Sequence, residues 1–374
     1  MSRLTSIPLT ETKPGLVSVL IPAFNHEQYV QETLRSIIAQ TYPQIELLVI
    51  DDGSKDSTWK KIHELRSACE ARFQRTVFLT QENQGTTGTL NRLVSMAHGE
   101  YVYLIASDDI AFPEAIQTEL DFLTAHPDYA LAVGDNLIID ENGNPAAIDR
   151  NWQILPLGTE NTSSTFAEHL QKCSDIDFRT WKFGTYSVLF RGNHIPNGYL
   201  IRKSIFSKIP AFCKEAPLED YFLMLQIAKH AKIKFLDVPL FYYRRHSGGT
   251  SQNHLLMHEM TEKTRNFEKY TWQFYFPLRG FFIFKYYHRQ YLWNLEKQKG
   301  LSWDRQKIQK NLLIYFPYLI KYLVLGKYFQ HTLPLICIFY DMTIGLRNTL
   351  NPRKTIHEFF QIFQNLTQKI QHHM

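Results

Sequence analysis

The sequence predicts an α/β protein with a single, mostly parallel (mixed) sheet flanked by helices, followed by a C-terminal helical region rich in aromatic and basic residues. Short apolar runs alternate with helical patterns from residue 17 to residue 133, as expected for βαβ units and a parallel sheet. Residues 254–374 of the 374-residue chain hold 17 of its 41 Lys/Arg but only 7 of its 36 Asp/Glu. We therefore predict two domains, 1–253 and 254–374.

The strands are predicted from β-branched apolar runs that are too short to be helices. Five such runs occur in order, at 17–22, 45–50, 76–80, 101–105 and 129–133. Apolar residues at helical spacing predict four helices between them. The first covers 27–40, the second begins after an N-cap at Asp56 or Ser57, the third ends near Gly99, and the fourth covers 116–123. The segment 142–191 is less regular and is expected to lie over the sheet edge or the cleft.

Polar clusters follow four of these strands at the point where each strand ends. Because ligands of parallel α/β sheets bind beyond the carboxyl ends of the strands, we expect these residues to converge on one crevice. They are Phe24 and Asn25, Asp51 and Asp52, Asn83 to Gly85, and Asp108 and Asp109. No GxGxxG follows the first strand and no GxxxxGK[ST] occurs, which disfavours a dinucleotide site and a P-loop.

The combination of these motifs is more specific than any one of them. In order, the chain contains VSVLIPAFN at 17–25, SIIAQT at 36–41, LVIDDGSKDST at 48–58, NQG at 83–85, Asn91, HGEY at 98–101 and SDD at 107–109. A second block follows, with NGYLIRKS at 197–204, PLEDYF at 217–222 and YYRRH at 242–246. The series resembles family 2 glycosyltransferases, which are inverting enzymes with the GT-A fold, over about residues 17–253.

The resemblance implies transfer of a sugar from a nucleotide-sugar donor, most often a UDP-sugar, to a hydroxyl of a glycan or lipid-linked acceptor. It places Phe24 against the base and gives Asp52, or its neighbour Asp51, the role of accepting hydrogen bonds from the base. Cations in the YYRRH motif at 242–246 would stabilise the diphosphate that leaves. The implied nucleotide-binding residues are Pro22, Phe24, Asn25, Asp51, Asp52, Asn83, Gly85, Asn91, Asp108, Arg244 and Arg245.

A divalent metal is predicted from the carboxylates at the end of the fourth strand. Oxygen ligands of this kind suit Mg²⁺ or Mn²⁺, which also take substrate phosphates. The resemblance implies Asp108, Asp109 and His246 as the metal residues, although His246 could instead touch a phosphate. Ala106 stands where the commonest form of the motif has its first aspartate, and a solvated turn is the alternative interpretation of the acidic pair.

The general base is predicted at the start of a helix, in the PLEDYF motif. An attacking hydroxyl has a high pKa, so a positioned carboxylate must take its proton. The resemblance implies Asp220 as this base, with Glu219 beside it. Taken alone, the pair could equally be two acidic residues that a helix N-terminus favours.

Two other functional classes remain open from the sequence. A nucleotidyltransferase would also use an α/β sheet, a metal and a nucleotide, but the loop at 22–27 lacks the glycine-rich and basic pattern of such enzymes. A degenerate sugar-binding or partner-binding domain is the non-enzymatic alternative, and Ala106 favours it. Measured hydrolysis of a nucleotide sugar, lost in Asp220→Asn, would separate the three.

The C-terminal region contains 25 of the 52 aromatic residues and has a net positive charge. Its uncharged stretches are shorter than the roughly 20 residues that span a bilayer, so we predict helices that lie at an anionic membrane surface. A packed helical subdomain or an oligomer interface is the alternative. No nucleic-acid motif is present. Four unpaired cysteines and a polar N-terminus predict a cytoplasmic protein, peripheral on the inner face of the cell membrane.

Overall fold

The computed structural model describes residues 7–174, 176–180, 182–249 and 253–275, which all belong to one compact unit. The strands in these residues are β1 (Lys13–Ala23), β2 (Ile45–Asp51), β3 (Arg75–Thr80), β4 (Gly99–Leu104), β5 (Ile110–Ala111), β6 (Tyr129–Ile139), β7 (Ala146–Ile148), β8 (Ile154–Pro156), β9 (Tyr199–Arg202) and β10 (Lys232–Arg244). The helices are α1 (Val30–Ile38), α2 (Thr58–Glu64), α3 (Arg66–Arg72), α4 (Gly85–Met96), α5 (Ala115–Ala125), α6 (Phe166–Cys173), α7 (Tyr186–Leu189), α8 (Glu219–Ile227) and α9 (His254–Tyr275), with a 3-10 helix at Lys203–Ser207.

Eight strands form a mixed sheet in the order β3-β2-β1-β4-β9-β6-β10-β5. Strands β1 to β4 pair in parallel, as do β6 and β10. Strand β9 is antiparallel to both of its neighbours, and β5 is antiparallel to β10. Because β9 runs in the opposite direction, its first residue lies at the edge where the parallel strands end.

Both faces of the sheet are covered, which explains why its central strands are apolar throughout. On one face, Leu20 and Val102 pack against α4, α6 and α8. On the other face, Val19 and Tyr103 pack against α1, α2, α3 and α5. Only the edge beyond the strand ends is therefore left to form a site.

The five predicted strands and the helices between them are confirmed, with small differences at their ends. Helix α1 begins at Val30 rather than at residue 27, because the preceding residues form a turn closed by Tyr29 N donating to His26 O at 3.0 Å. Ser57 is the N-cap residue of α2 but its side chain makes no capping bond; Asp56 Oδ1 instead accepts from Thr58 N at 2.9 Å. The irregular segment contains the β7–β8 hairpin and two short helices.

The first part of the predicted C-terminal domain forms α9, which packs against α8. The domain boundary at residue 253 stays a prediction. The aromatic and basic stretch from residue 276 onward, with the apolar runs at 312–320 and 328–340, lies outside the described residues, and so does the predicted membrane surface. Among the helices of the described ranges, none combines the length and the apolar character that crossing a membrane requires.

Candidate active site

The loops that follow β1 and β2 are joined at their tips. Asn25 N donates to Ser54 Oγ at 2.9 Å, and Lys55 N donates to Asn25 Oδ1 at 2.8 Å. Asn25 adopts a positive φ of 53°, a conformation that asparagine tolerates better than most residues. Next to it, Phe24 is 42% exposed, which is unusual for a phenylalanine and leaves part of its ring available to a ligand. Pro22 is half-buried at the end of β1.

The carboxylate of Asp52 is held by the loop that follows β3. Its Oδ1 accepts from Gln81 Nε2 at 2.7 Å and from Gln84 N at 2.8 Å. Between the two strand ends, Gly53 has a φ of 77°, and a Cβ there would lie 3.0 Å from Gln81 O. The neighbouring Asp51 is bound by its own turn, because Ser54 and Thr80 donate to its carboxylate. The carboxylate of Asp52 is thus held in one orientation before a ligand binds, whereas the carboxylate of Asp51 stabilises the turn after β2.

The beginning of α4 is accessible to a ligand, whereas the side chain of Asn91 in the middle of that helix is occupied by hydrogen bonds. Asn83 Oδ1 accepts from Gly85 N at 3.0 Å, and Gly85 has a φ of 73° with no atom within 4 Å of a Cβ position. Asn91, one and a half turns further, exchanges two hydrogen bonds with the backbone of Phe212 at 2.8 and 2.9 Å. Asn83 and Gly85 therefore face free space, whereas Asn91 anchors a distant loop.

Three side chains with metal-ligating atoms meet at the end of β4. The nearest such atoms of His26, Asp108 and His246 all lie within 4.8 Å of one another. Asp108 Oδ2 is 2.9 Å from His246 Nε2, and Asp108 Oδ1 is 3.9 Å from His26 Nδ1. Ser107 Oγ, 2.7 Å from His26 Nδ1, holds the second ring in place. We call these three residues the His-Asp-His cluster.

The protonation of the His-Asp-His cluster suits a cation. Burial lowers the pKa of His26 below its usual value despite the opposing charge of Asp108, so its imidazole is neutral and can offer a lone pair. Burial raises the pKa of Asp108, but the hydrogen bond with His246, together with smaller electrostatic contributions from the two histidines, outweighs burial, and the net shift is downward. One anionic oxygen ligand and two imidazoles are a donor set that fits a divalent transition ion.

Asp109 lies outside the His-Asp-His cluster. Its side chain is fully buried, and its Oδ1 accepts from Arg244 N at 2.9 Å. Burial and the charge of Asp108 raise the pKa of Asp109 well above its usual range. Asp109 is bound to the backbone at Arg244 and is not one of the three side chains that meet in the cluster, and its role as a metal ligand stays a prediction.

Arg244 is held by several contacts beside the cluster. Its Nε donates to Asp108 O at 2.8 Å, its Nη2 donates to the carboxylate of Glu32, and its guanidinium lies 5.0 Å from the centre of the Tyr29 ring. Arg245 is also buried, with a bond of 2.8 Å to Trp152 O. Both arginines therefore support the loop that carries His246.

A second group of side chains lies around the first turn of α8. Asp220 Oδ2 accepts from Asn193 Nδ2 at 2.6 Å, and Asp220 Oδ1 accepts from Tyr221 N at 2.6 Å. Burial and the charge of Asp220 raise the pKa of Glu219 to about 8, and burial raises that of Asp220. Hydrogen-bond donors favour the ionised form, so Asp220, which has two, holds the negative charge of the pair at neutral pH.

Strand β9 brings this group to the same edge as the His-Asp-His cluster. Tyr199, the first residue of β9, pairs with Leu104 at the end of β4, three residues before Ser107. Burial raises the pKa of Tyr199, and the charges of Asp220 and Glu219 raise it further, so both carboxylates lie within electrostatic range of Tyr199. We call the loops after β1 to β4 the strand-end region, and Asn193, Tyr199, Glu219 and Asp220 the helix-end region.

Two residues of the site were missed in the sequence. His26 directly follows Asn25 in the loop after the first strand, and a histidine at a strand end was the signal that could have found it. Asn193 lies in an irregular segment, and nothing in its spacing connects it to Asp220. The structure also brings Gln81 to Asp52, whereas the sequence showed only a polar stretch there.

Comparison with known proteins gives consistent results. Residues 18–188 match the family model described as Glycosyl transferase family 2. Glycosyltransferase GlyG of Streptococcus pneumoniae is 28% identical over 239 residues, covering 62% of this chain and 72% of GlyG. An uncharacterised glycosyltransferase of Rickettsia conorii is 28% identical over 262 residues, covering 66% of this chain but only 39% of that protein. The structure of S. aureus TarS 1–349 in complex with UDP-GlcNAc aligns over 66% of each chain, with 19% identity and a TM-score of 0.46.

The mixed sheet, with its polar strand ends gathered at one edge, defines a GT-A glycosyltransferase, as predicted. Residues 18–188, which carry the strand-end region, are similar to glycosyl transferase family 2, and the relatives that cover most of this part of the chain are named glycosyltransferases.

Proposed function

We propose that the protein is an inverting glycosyltransferase that uses a UDP-sugar and a hydroxyl acceptor. The observation that supports this most strongly is the placement of Asp220 and the His-Asp-His cluster at the same edge of the sheet. One carboxylate stands apart from a cation-binding cluster, and inversion needs one base and one stabilised leaving group.

The reaction follows from that arrangement. The acceptor oxygen attacks the anomeric carbon, its proton passes to the Asp220 carboxylate, and the nucleoside diphosphate leaves with the electrons of the broken bond. Asn193 holds Asp220 Oδ2, and each carboxylate oxygen has a second lone pair that can accept the proton. Glu219, protonated beside it, keeps a second negative charge away from the acceptor.

His26, Asp108 and His246 would hold the metal. A bound divalent ion would supply positive charge for the diphosphate as it leaves. Two imidazoles with one carboxylate favour Mn²⁺ over Mg²⁺, because Mg²⁺ takes almost only oxygen ligands. Asp109 would act from beneath, by fixing the backbone at Arg244.

At the nucleobase, Asp52 is positioned to accept a hydrogen bond from an N–H group, while Phe24 stacks on the nucleobase ring. Uracil carries such a hydrogen at ring N3, whereas N3 of cytosine is unprotonated and only its exocyclic N4 amino group donates, so a carboxylate that meets N3 would distinguish the two. This chemistry supports uridine over cytidine nucleotides.

The acceptor proposed is a glycan or a lipid-linked saccharide of a bacterial cell-surface polysaccharide, lipopolysaccharide or capsule. Support comes from the basic, aromatic composition of residues 254–374, which suits an anionic surface. On this proposal, the protein acts at the cytoplasmic face of the cell membrane.

A nucleotide screen tests the proposal. With Mn²⁺ present, UDP should raise the melting temperature and CDP should not; Asp52→Asn should remove the preference, while Asp51→Asn should lower stability in both. UDP-sugars should release UDP slowly in the absence of acceptor. A chain that binds no nucleoside diphosphate under these conditions would contradict the proposed function.

A further inference from the structure

Helix α9 contacts α8 through matching stripes of residues. On α8 and its N-cap, Leu218, Phe222 and Gln226 are spaced four residues apart and so share one face. The aromatic rings of Phe222 and Phe267 lie 6.1 Å apart between centroids. Hydrogen bonds join the stripes on either side of these rings.

The first of these bonds lies next to the proposed base. Leu218 N, one residue before Glu219, donates to Thr264 Oγ1 at 3.0 Å, and Thr264 is fully buried. This N–H belongs to the beginning of α8, where the helix itself offers no acceptor. Thr264 therefore fixes the turn from which Asp220 projects.

The second support reaches the partner of the base. Arg265 donates to Arg191 O at 3.3 Å, two residues before Asn193, whose amide binds Asp220. Adjacent residues of α9 thus hold the two segments that must meet for the Asn193–Asp220 hydrogen bond to form.

At the other end of α8, a buried ion pair locks the two helices together. Glu268 Oε1 is 2.5 Å from Lys229 Nζ, and Glu268 Oε2 accepts from Gln226 Nε2 at 2.8 Å. Tyr186 OH donates to the same carboxylate at 3.1 Å. Because Glu268 is fully buried, its ion pair with the largely buried Lys229 exists only while α9 stays in place, and breaking a buried ion pair is unfavourable.

We propose that α9 is a positioning element for sugar transfer, in which Thr264 sets the place of Asp220 although it touches neither substrate. This inference rests on the proposed function of Asp220. The contacts of α9 described above all go to the helix-end region and its supports. Displacement of α9 therefore slows transfer and leaves donor binding intact, which ties the start of the C-terminal region to the chemical step.

Three variants of the full-length chain test this proposal. Thr264→Val removes the acceptor and keeps the shape; Thr264→Ser keeps the hydroxyl. Thr261→Val is the matched control, because Thr261 Oγ1 donates only within α9, to Met257 O at 2.7 Å. We expect Thr264→Val to lower kcat by about 10- to 100-fold, the effect of a misplaced reacting group. The donor KM and the Kd for UDP should stay within about twofold, because Thr264 makes no contact that binds the donor. Thr264→Ser and Thr261→Val should behave as wild type.

A wild-type kcat in Thr264→Val, or a loss of UDP affinity equal to the loss of kcat, overturns the proposal. UDP binding reports whether each variant has folded, and Glu268→Gln decides the matter if Thr264→Val has not. If neither variant binds UDP, the contact serves global folding and the proposal is wrong.

Asp220→Asn, measured in parallel, separates the two levels of inference. An inactive Asp220→Asn with a wild-type Thr264→Val removes only the role of α9. An active Asp220→Asn removes the proposed base itself.

Discussion

The strand-end and helix-end regions are built in different ways. In the strand-end region, Asp52 and Asn25 are fixed by bonds between loops about 30 residues apart in the chain, at the ends of paired strands. In the helix-end region, Asp220 depends on Asn193, and the turn before it depends on Thr264, 46 residues further on. No ladder of backbone bonds connects these three segments.

The difference explains which residues of the site can be placed from a sequence motif. Parallel strands end at a common edge, so residues after neighbouring strands meet whatever their side chains are. A helix end meets a loop only when packing brings the two together. We therefore expect changes in the helix-end region to affect the rate, and changes in the strand-end region to affect binding.

The largest expected effect sharpens this comparison at the base. Asp220→Asn should lower kcat by about 10²- to 10⁴-fold, the contribution of a positioned base, while the Kd for UDP stays unchanged. Steady-state transfer and calorimetric titration measure the two quantities. Glu219→Gln is the matched control, because a protonated glutamate resembles glutamine and the loss should stay below about threefold. A larger loss in Glu219→Gln would make Glu219 the base.

The next effect concerns the metal. His26→Ala and His246→Ala should each weaken Mn²⁺ affinity by about 10- to 100-fold, as the loss of supporting groups does in other metal sites. EDTA should weaken UDP binding in the wild-type protein. Asp109→Asn should bind Mn²⁺ normally, because its carboxyl is buried away from the cluster. The reverse pattern would restore Asp109 as a metal ligand and contradict the part assigned to the two histidines.

A smaller effect should appear in the pH dependence of stability. The pKa of Glu219 is about 8 in the folded chain, compared with about 4.3 when unfolded. The folded state therefore binds more protons between these values, and the free energy of unfolding falls as pH rises through this window. Urea unfolding from pH 5 to pH 8 should show a shallower decline in Glu219→Gln than in the wild type. Glu215→Gln, at an exposed position on the same segment, should keep the wild-type slope.

The smallest effects are expected from the C-terminal region. The full-length chain should float with anionic liposomes, and each Lys or Arg near the surface should add about 1 kcal/mol that salt screens. Aromatic insertion should leave some binding at high salt, and neutral liposomes should bind less. A chain that ignores both lipids, yet forms oligomers in light scattering, would favour the subdomain or interface alternative.

The sequence by itself determined five strands of the sheet, the polar residues at their ends and the first turn of α8. These features depend on local patterns: apolar runs of strand length, turn residues after them, and an acidic pair that begins a helix. Asp52 and Asp108 could therefore be placed at the cleft from sequence.

Only the tertiary structure decided which side chains share an environment. His26 and His246 are separated by 220 positions and meet at Asp108. Arg244 donates a hydrogen bond to the backbone of Asp108, and Asn91 donates one to the backbone of Phe212. Such pairings depend on how helices and loops pack over the sheet, and a linear pattern contains no record of that packing. The link between Thr264 and the base belongs to the same class, because it exists only when α9 lies against α8.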